Sequence, residues 1–246
     1  MSILGGFLFA VGIGDLVRTR SITAYAIGPV ALLAIAILAD LHAPADVMLL
    51  LVATTGTGAW RWTRARAGSW RHGETIALTV LAGTVLVVIL AAGSSGDAGG
   101  VLGSWLRNSA FPALHELSPD RFLLVLGLGA LQLATGNELV RLVLSAIGAV
   151  KPDGQPQPSD ELRGGRLLGP MERLFILGLG MAGQGTAAGL VIAAKGLIRF
   201  PELQSRGSAR QQVSGLGIDA VTEYFLVGSF VSWLISLGAL GVLSLG

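Results

Sequence analysis

Apolar residues along this chain collect in long stretches that charged residues bound but seldom interrupt. Between Arg173 and Lys195 lie 21 residues without a charge, and about 20 suffice for one helical crossing of a bilayer's hydrocarbon core. The cleanest stretch runs from Thr75 to Ala92. Others run from the start to Val17, from about Ile22 to Ala39 with Pro29 inside, from Val47 to Ala59, from Phe122 toward Val150, and from Ala220 to Leu245. This pattern predicts an all-α, polytopic integral membrane helix bundle of about seven spans, forming one transmembrane domain over residues 1–246. The opening stretch has no Lys or Arg ahead of its apolar core. It therefore reads as a short first membrane segment rather than a secretory signal.

The segments between the spans give the orientation. Residues 61–74 carry Arg61, Arg64, Arg66 and Arg71, with Trp60 just before them and Trp62 and Trp70 among them. Tryptophans at headgroup level with arginines beyond them mark a cytoplasmic interface, so 61–74 is expected to be a basic cytoplasmic loop. Residues 93–121 form an outer loop in which Val101, Leu102, Trp105 and Leu106 recur at helical spacing, predicting a short helix lying in the interface. The hydrophilic stretch 151–166 contains three prolines and reads as a flexible cytoplasmic loop.

The uncharged run after Arg173 allows two architectures. A straight helix of 21 residues spans about 31 Å at 1.5 Å per residue, setting Glu172 and Lys195 on opposite faces. A break at Gly183-Gln184-Gly185 instead folds two short arms into a re-entrant hairpin, giving eight segments. Reflection about Gln184 then brings Glu172 level with Gly196, beside Lys195. The hairpin improves the cytoplasmic arginine count, but its arms are short for a crossing. The straight span is the preferred reading.

Composition agrees with the membrane class. The chain is 52% hydrophobic and only 13% charged, against roughly 25% charged in soluble domains. Its 36 glycines fit close helix–helix approach in lipid. With no cysteine, disulfides, thiolate metal sites and cysteine nucleophiles are excluded. The basic residues flank apolar spans, so they serve orientation and no nucleic-acid partner is expected.

Motifs add little chemistry. GLGMAG at Gly178–Gly183 matches a dinucleotide fingerprint letter for letter, but that fingerprint works between a strand and a helix, and here it lies mid-span. The histidines His42, His72 and His115 fall in three different loops, so no metal and no cofactor are expected. What remains is a set of ionisable groups near the ends of apolar spans, costly there unless paired, interfacial or functional. Glu172, Arg173, Lys195, Arg199 and Glu223 are the binding candidates. Glu138, Arg141 and Gln184 are secondary, and Asp15 stands near a span end as well. In the last span Thr222, Ser229, Ser232 and Ser236 share a helical stripe, read as packing surface ahead of a polar pathway lining.

The order G-R-x-x-G-x-x-E-R is carried by Gly165, Arg166, Gly169, Glu172 and Arg173, followed by Gly183-Gln184. Then come Ala193, Ala194, Lys195, Arg199 and Phe200, and Glu223-Tyr224 ahead of the last span. In this C-terminal half the chain resembles a family of uncharacterised prokaryotic and phage multi-pass membrane proteins. The resemblance implies a prokaryotic plasma (inner) membrane location and marks the same charged residues; it implies no substrate.

Three functions follow as expectations. The first is a non-enzymatic membrane protein binding or moving a small ion, solute or lipid through Glu172, Lys195, Arg199 and Glu223. The second is a membrane-embedded enzyme on a lipid-linked phosphate, with Arg173, Lys195 and Arg199 holding the anion and Glu172 or Glu223 as general base. The third is a scaffold subunit of a larger complex. No recognisable nucleophile or ligand cluster is present, so the reading leans away from an enzyme. The expected partners are the bilayer, including anionic lipid headgroups, and a second copy or another membrane protein.

Overall fold

The computed structural model describes residues 1–17, 22–150, 165–209 and 218–246. Described residues form helices and no strand: α1 (Ser2–Leu16), α2 (Ile22–Leu38), α3 (Pro44–Arg66), α4 (Gly73–Ala91), α5 (Gly100–Arg107) and α6 (Pro112–His115). There follow α7 (Pro119–Ala130), a π turn over Leu131–Thr135, α8 (Gly136–Ala146), α9 (Gly165–Met181), α10 (Gly185–Ala209) and α11 (Ile218–Leu243). Against the expected seven spans, three helical runs among the described residues are long and apolar enough to cross a membrane: Gly73–Ser94, Pro119–Ala146 and Thr222–Leu243. The chain gathers into two compact units, Met1–Thr135 with Val242–Gly246, and Gly136–Gly241.

In the first unit α1 is the central helix, with α2 and α7 against it. Its 15 residues rise only about 22 Å, short of the ~30 Å hydrocarbon core. Even so, 12 of them are buried, Asp15 included. A helix apolar all round fits a position enclosed all round. Its glycines allow the approach: a Cβ at Gly5 would collide with the backbone of Leu123, and one at Gly12 with Ala130.

The stretch 61–74, expected as a loop, is instead mostly helical. Helix α3 continues through Arg66, a 3-10 turn covers Ala67–Ser69, and α4 starts at Gly73. Ala, Arg and Trp tolerate a helix, and the first breaker after Ala59 is Gly68. At the opposite end of the α3–α4 hairpin, the buried Asp46 accepts from the N–H groups of Ala43 (3.1 Å) and Gly96 (3.0 Å). Asp120 accepts from Ser2 (3.0 Å) and Ala98 (3.1 Å). These two carboxylates hold the segment 93–121, where α5 forms with Leu106 buried and Trp105 against Phe122.

In the second unit the straight helix is overturned. Helix α9 stops at Met181 and α10 begins at Gly185. Gly183 takes a left-handed φ of 72°, its N–H donating to Gly180 O at 3.0 Å and that of Gln184 to Leu179 O at 2.8 Å. This bond pair is a Schellman C-cap, which needs a residue comfortable at positive φ. Apolarity fixed the length of the run, but turn chemistry decided its shape. The 17 residues of α9 and the 13-residue apolar part of α10, Gly185–Leu197, pack as a hairpin. Each arm is below the ~20 residues of a crossing. Of the expected loop 151–166, residues 151–164 lie outside the described residues, and α9 already includes the last two.

Candidate functional site

The hairpin brings Glu172 of α9 to Lys195 of α10. Lys195 Nζ donates to Glu172 Oε2 at 2.5 Å, and Trp233 Nε1 of α11 donates to Oε1 at 2.7 Å. Both carboxylate oxygens thus hold a donor, and Glu172 is only 7% exposed. The rings of Phe225 and Trp233 each have their centre 6.0 Å from Lys195 Nζ. The ammonium therefore sits against aromatic faces as well as a carboxylate, both of which favour a cation there.

Arg173, one residue on, is turned about 100° round the helix and is 1% exposed. Its Nη1 donates to Ser232 Oγ at 3.1 Å and its Nη2 to Asn137 Oδ1 at 2.8 Å. Gly136 makes room for it, since a Cβ there would strike the guanidinium. Successive residues of α11, Ser232 and Trp233, thereby serve successive residues of α9. The serine stripe is buried: Ser229, Ser232 and Ser236 are each 5% exposed or less.

The other candidates stand apart from this centre. Glu138 and Arg141 pair with each other at 2.8 Å on α8, with the Arg141 side chain 58% exposed. Gln184 is exposed at the hairpin tip, where its backbone carbonyl accepts from Ala188 N–H. Glu223 is exposed near the start of α11. Arg199 falls within α10, but its side chain lies outside the described residues. Among the described residues no three His, Cys, Asp or Glu side chains group as a metal site.

A second polar centre lies in the first unit, where the sequence shows only a lone acid at the end of an apolar stretch. Asp15 receives Arg64 Nη1 at 3.2 Å, Trp60 Nε1 at 3.1 Å and Thr135 Oγ1 at 2.8 Å. Asp15, Trp60 and Thr135 are all buried. Thr135 closes the π turn, a local widening found often at functional sites. Arg61 Nη1 donates to Gly14 O at 2.6 Å, meeting a carbonyl in the last turn of α1, where a cation complements the helix dipole. Each unit thus contains a buried carboxylate that receives a basic side chain and an indole N–H. Trp60, Trp233 and Asn137 escaped sequence reasoning because a tryptophan or asparagine near a span reads as an interfacial or capping residue. Only the fold reveals which acceptor it meets. Compared with protein-family models, curated proteins and solved structures, the chain matches none of them.

Proposed function

We propose that this chain is a multi-pass protein of a prokaryotic plasma membrane that binds or moves a small ion or solute at the Glu172–Lys195 centre. The observation that carries this reading is a buried carboxylate paired with a largely enclosed lysine inside a hairpin whose apolar stretches are too short to cross a bilayer. Non-spanning hairpins are tolerated at membrane depth where they are enclosed by protein or line a polar cavity. Ionisable residues at that depth mark ion and substrate paths.

Lys195 acts as an internal cation, seated between a carboxylate and two aromatic faces. An arriving anion would draw Lys195 away, and an arriving cation would compete for Glu172. Either exchange opens the pair. Arg173 holds α8, α9 and α11 together around it and is too enclosed to meet a ligand. That enclosure counts against the alternative of an enzyme gripping a lipid-linked phosphate with Arg173, as does the exposed setting of Glu223.

The test is flux in liposomes containing the purified protein, with a pH-sensitive dye inside and sodium, potassium or chloride gradients imposed in turn. The reading expects one gradient to dissipate faster than in empty liposomes. Glu172→Gln should abolish that flux and Glu223→Gln leave it intact. No flux in any gradient, with Glu172→Gln altering only assembly, would favour the scaffold reading instead.

A further inference from the structure

We propose that the α3–α4 hairpin binds one anionic phospholipid, its phosphate at the basic turn and one acyl chain in the groove between the helices. This site is separate from the Glu172 centre and does not depend on its role. The groove measures about 650 Å³ and is lined chiefly by Val52, Gly56, Ala59, Thr75, Thr79 and Gly83, with His72 at one end. The threonines do not make it polar. Thr55, Thr79 and Thr84 of the lining donate their hydroxyls to carbonyls of their own helix at 2.8 Å. The lining on α4 runs from Thr75 to Val87, a rise of about 18 Å. That is close to the ~15 Å depth of one leaflet's hydrocarbon.

Charge identifies the headgroup. The four arginines of the turn divide into two kinds. Arg61 and Arg64 point inward to Gly14 O and Asp15. Arg66 and Arg71 are exposed and make no ion pair among the described residues. Arg66 stacks over Trp62 at 4.6 Å, and Trp62 meets Trp70 edge-on with centroids 4.9 Å apart. Glu74 stands in the first turn of α4, where it complements the helix dipole. Two exposed guanidinium groups beside an indole pair, on the turn that also supplies His72 to the groove lining, are the complement of a phosphodiester with a tail attached. A zwitterionic headgroup brings its own ammonium and gains less. Free inorganic phosphate would use the arginines without the groove.

The experiment is native mass spectrometry of the full chain released from detergent, titrated separately with phosphatidylglycerol and phosphatidylcholine. One phosphatidylglycerol should be retained about tenfold more strongly than phosphatidylcholine. Arg66→Gln with Arg71→Gln should erase that difference. Gly83→Leu puts a side chain where a Cβ meets nothing within 4 Å, so it should fill the groove and weaken both lipids alike. Excess inorganic phosphate should not displace the lipid. Should the double variant fail to fold, Arg71→Gln alone and His72→Asn remain; asparagine tolerates the left-handed φ of 61° at His72. Equal retention of the two lipids, preference unchanged by the arginine variants, displacement by phosphate, or a lipid-free dimer seated on the groove would each overturn the proposal.

Discussion

Glu172 and Arg173 are neighbours of opposite charge that the helix aims at different partners. Glu172 is held by Lys195 and Trp233, Arg173 by Ser232 and Asn137. Removing one member of a buried pair leaves the other uncompensated, at about 3–5 kcal/mol, whereas removing both costs far less. Thermal unfolding in nanodiscs should therefore show Glu172→Leu and Lys195→Met each strongly destabilising and the double variant milder than their sum. Equal, additive losses would mean the pair carries no coupling. Arg173→Lys keeps the charge but loses the planar fork that reaches both Ser232 and Asn137. It should cost roughly 1–3 kcal/mol in the same measurement. At this scale the sequence was partly legible. Glu172 and Lys195 stood out because ionisable groups bordering an apolar run are costly, and that holds in any fold. Asp15 stood out less, since its partners Arg64 and Thr135 lie 49 and 120 residues away. No local pattern links them.

The hairpin turns on one glycine. Gly183 has open space where a Cβ would go but a φ of 72°, so Gly183→Ala should cost about 1–2 kcal/mol through the backbone alone. Gly178 and Gly189 also face open space, yet they are helical. Their alanine variants should gain about 0.5–1 kcal/mol. Chemical or thermal unfolding of the three variants separates a required bend from incidental glycine. Helix positions were readable from apolar runs, which is why α2, α4 and α11 fall close to their expected limits. The break at Gly183 was readable only as an alternative, because a GQG sequence in a run of 21 uncharged residues looks the same in a bent helix and a straight one. The extension of α3 through Arg66 was missed because clustered arginines were read as loop, although they are good helix formers.

Across the whole molecule, apolar residues face outward as well as inward. Only 17% of the span window in Gly73–Ser94 and 33% of that in Thr222–Leu243 is buried. Leu226, Phe230, Leu234 and Leu237 of α11 are all about half exposed or more. Large exposed apolar faces need a cover, and a bilayer supplies it. The protein should stay with membranes through an alkaline carbonate wash and leave only with detergent; release by carbonate would contradict the membrane reading. Sidedness within the hairpin can be checked because the chain has no native cysteine. Leu168→Cys and Leu197→Cys lie on exposed positions of the two arms and should react with an impermeant maleimide from the same side, whereas a straight span would separate them. The ion pair across these arms also bears on how the chain is made. Neither arm has an apolar stretch long enough to leave the translocon alone, and α9 emerges carrying a carboxylate whose partner Lys195 is still to come. Only when the ribosome has delivered Lys195 is that charge neutralised, so a membrane-embedded hairpin requires its two arms to partition into lipid as one unit, late and together. Presented to the translocon without the preceding spans, residues 165–183 alone should therefore remain extractable by carbonate, and residues 165–209 should not.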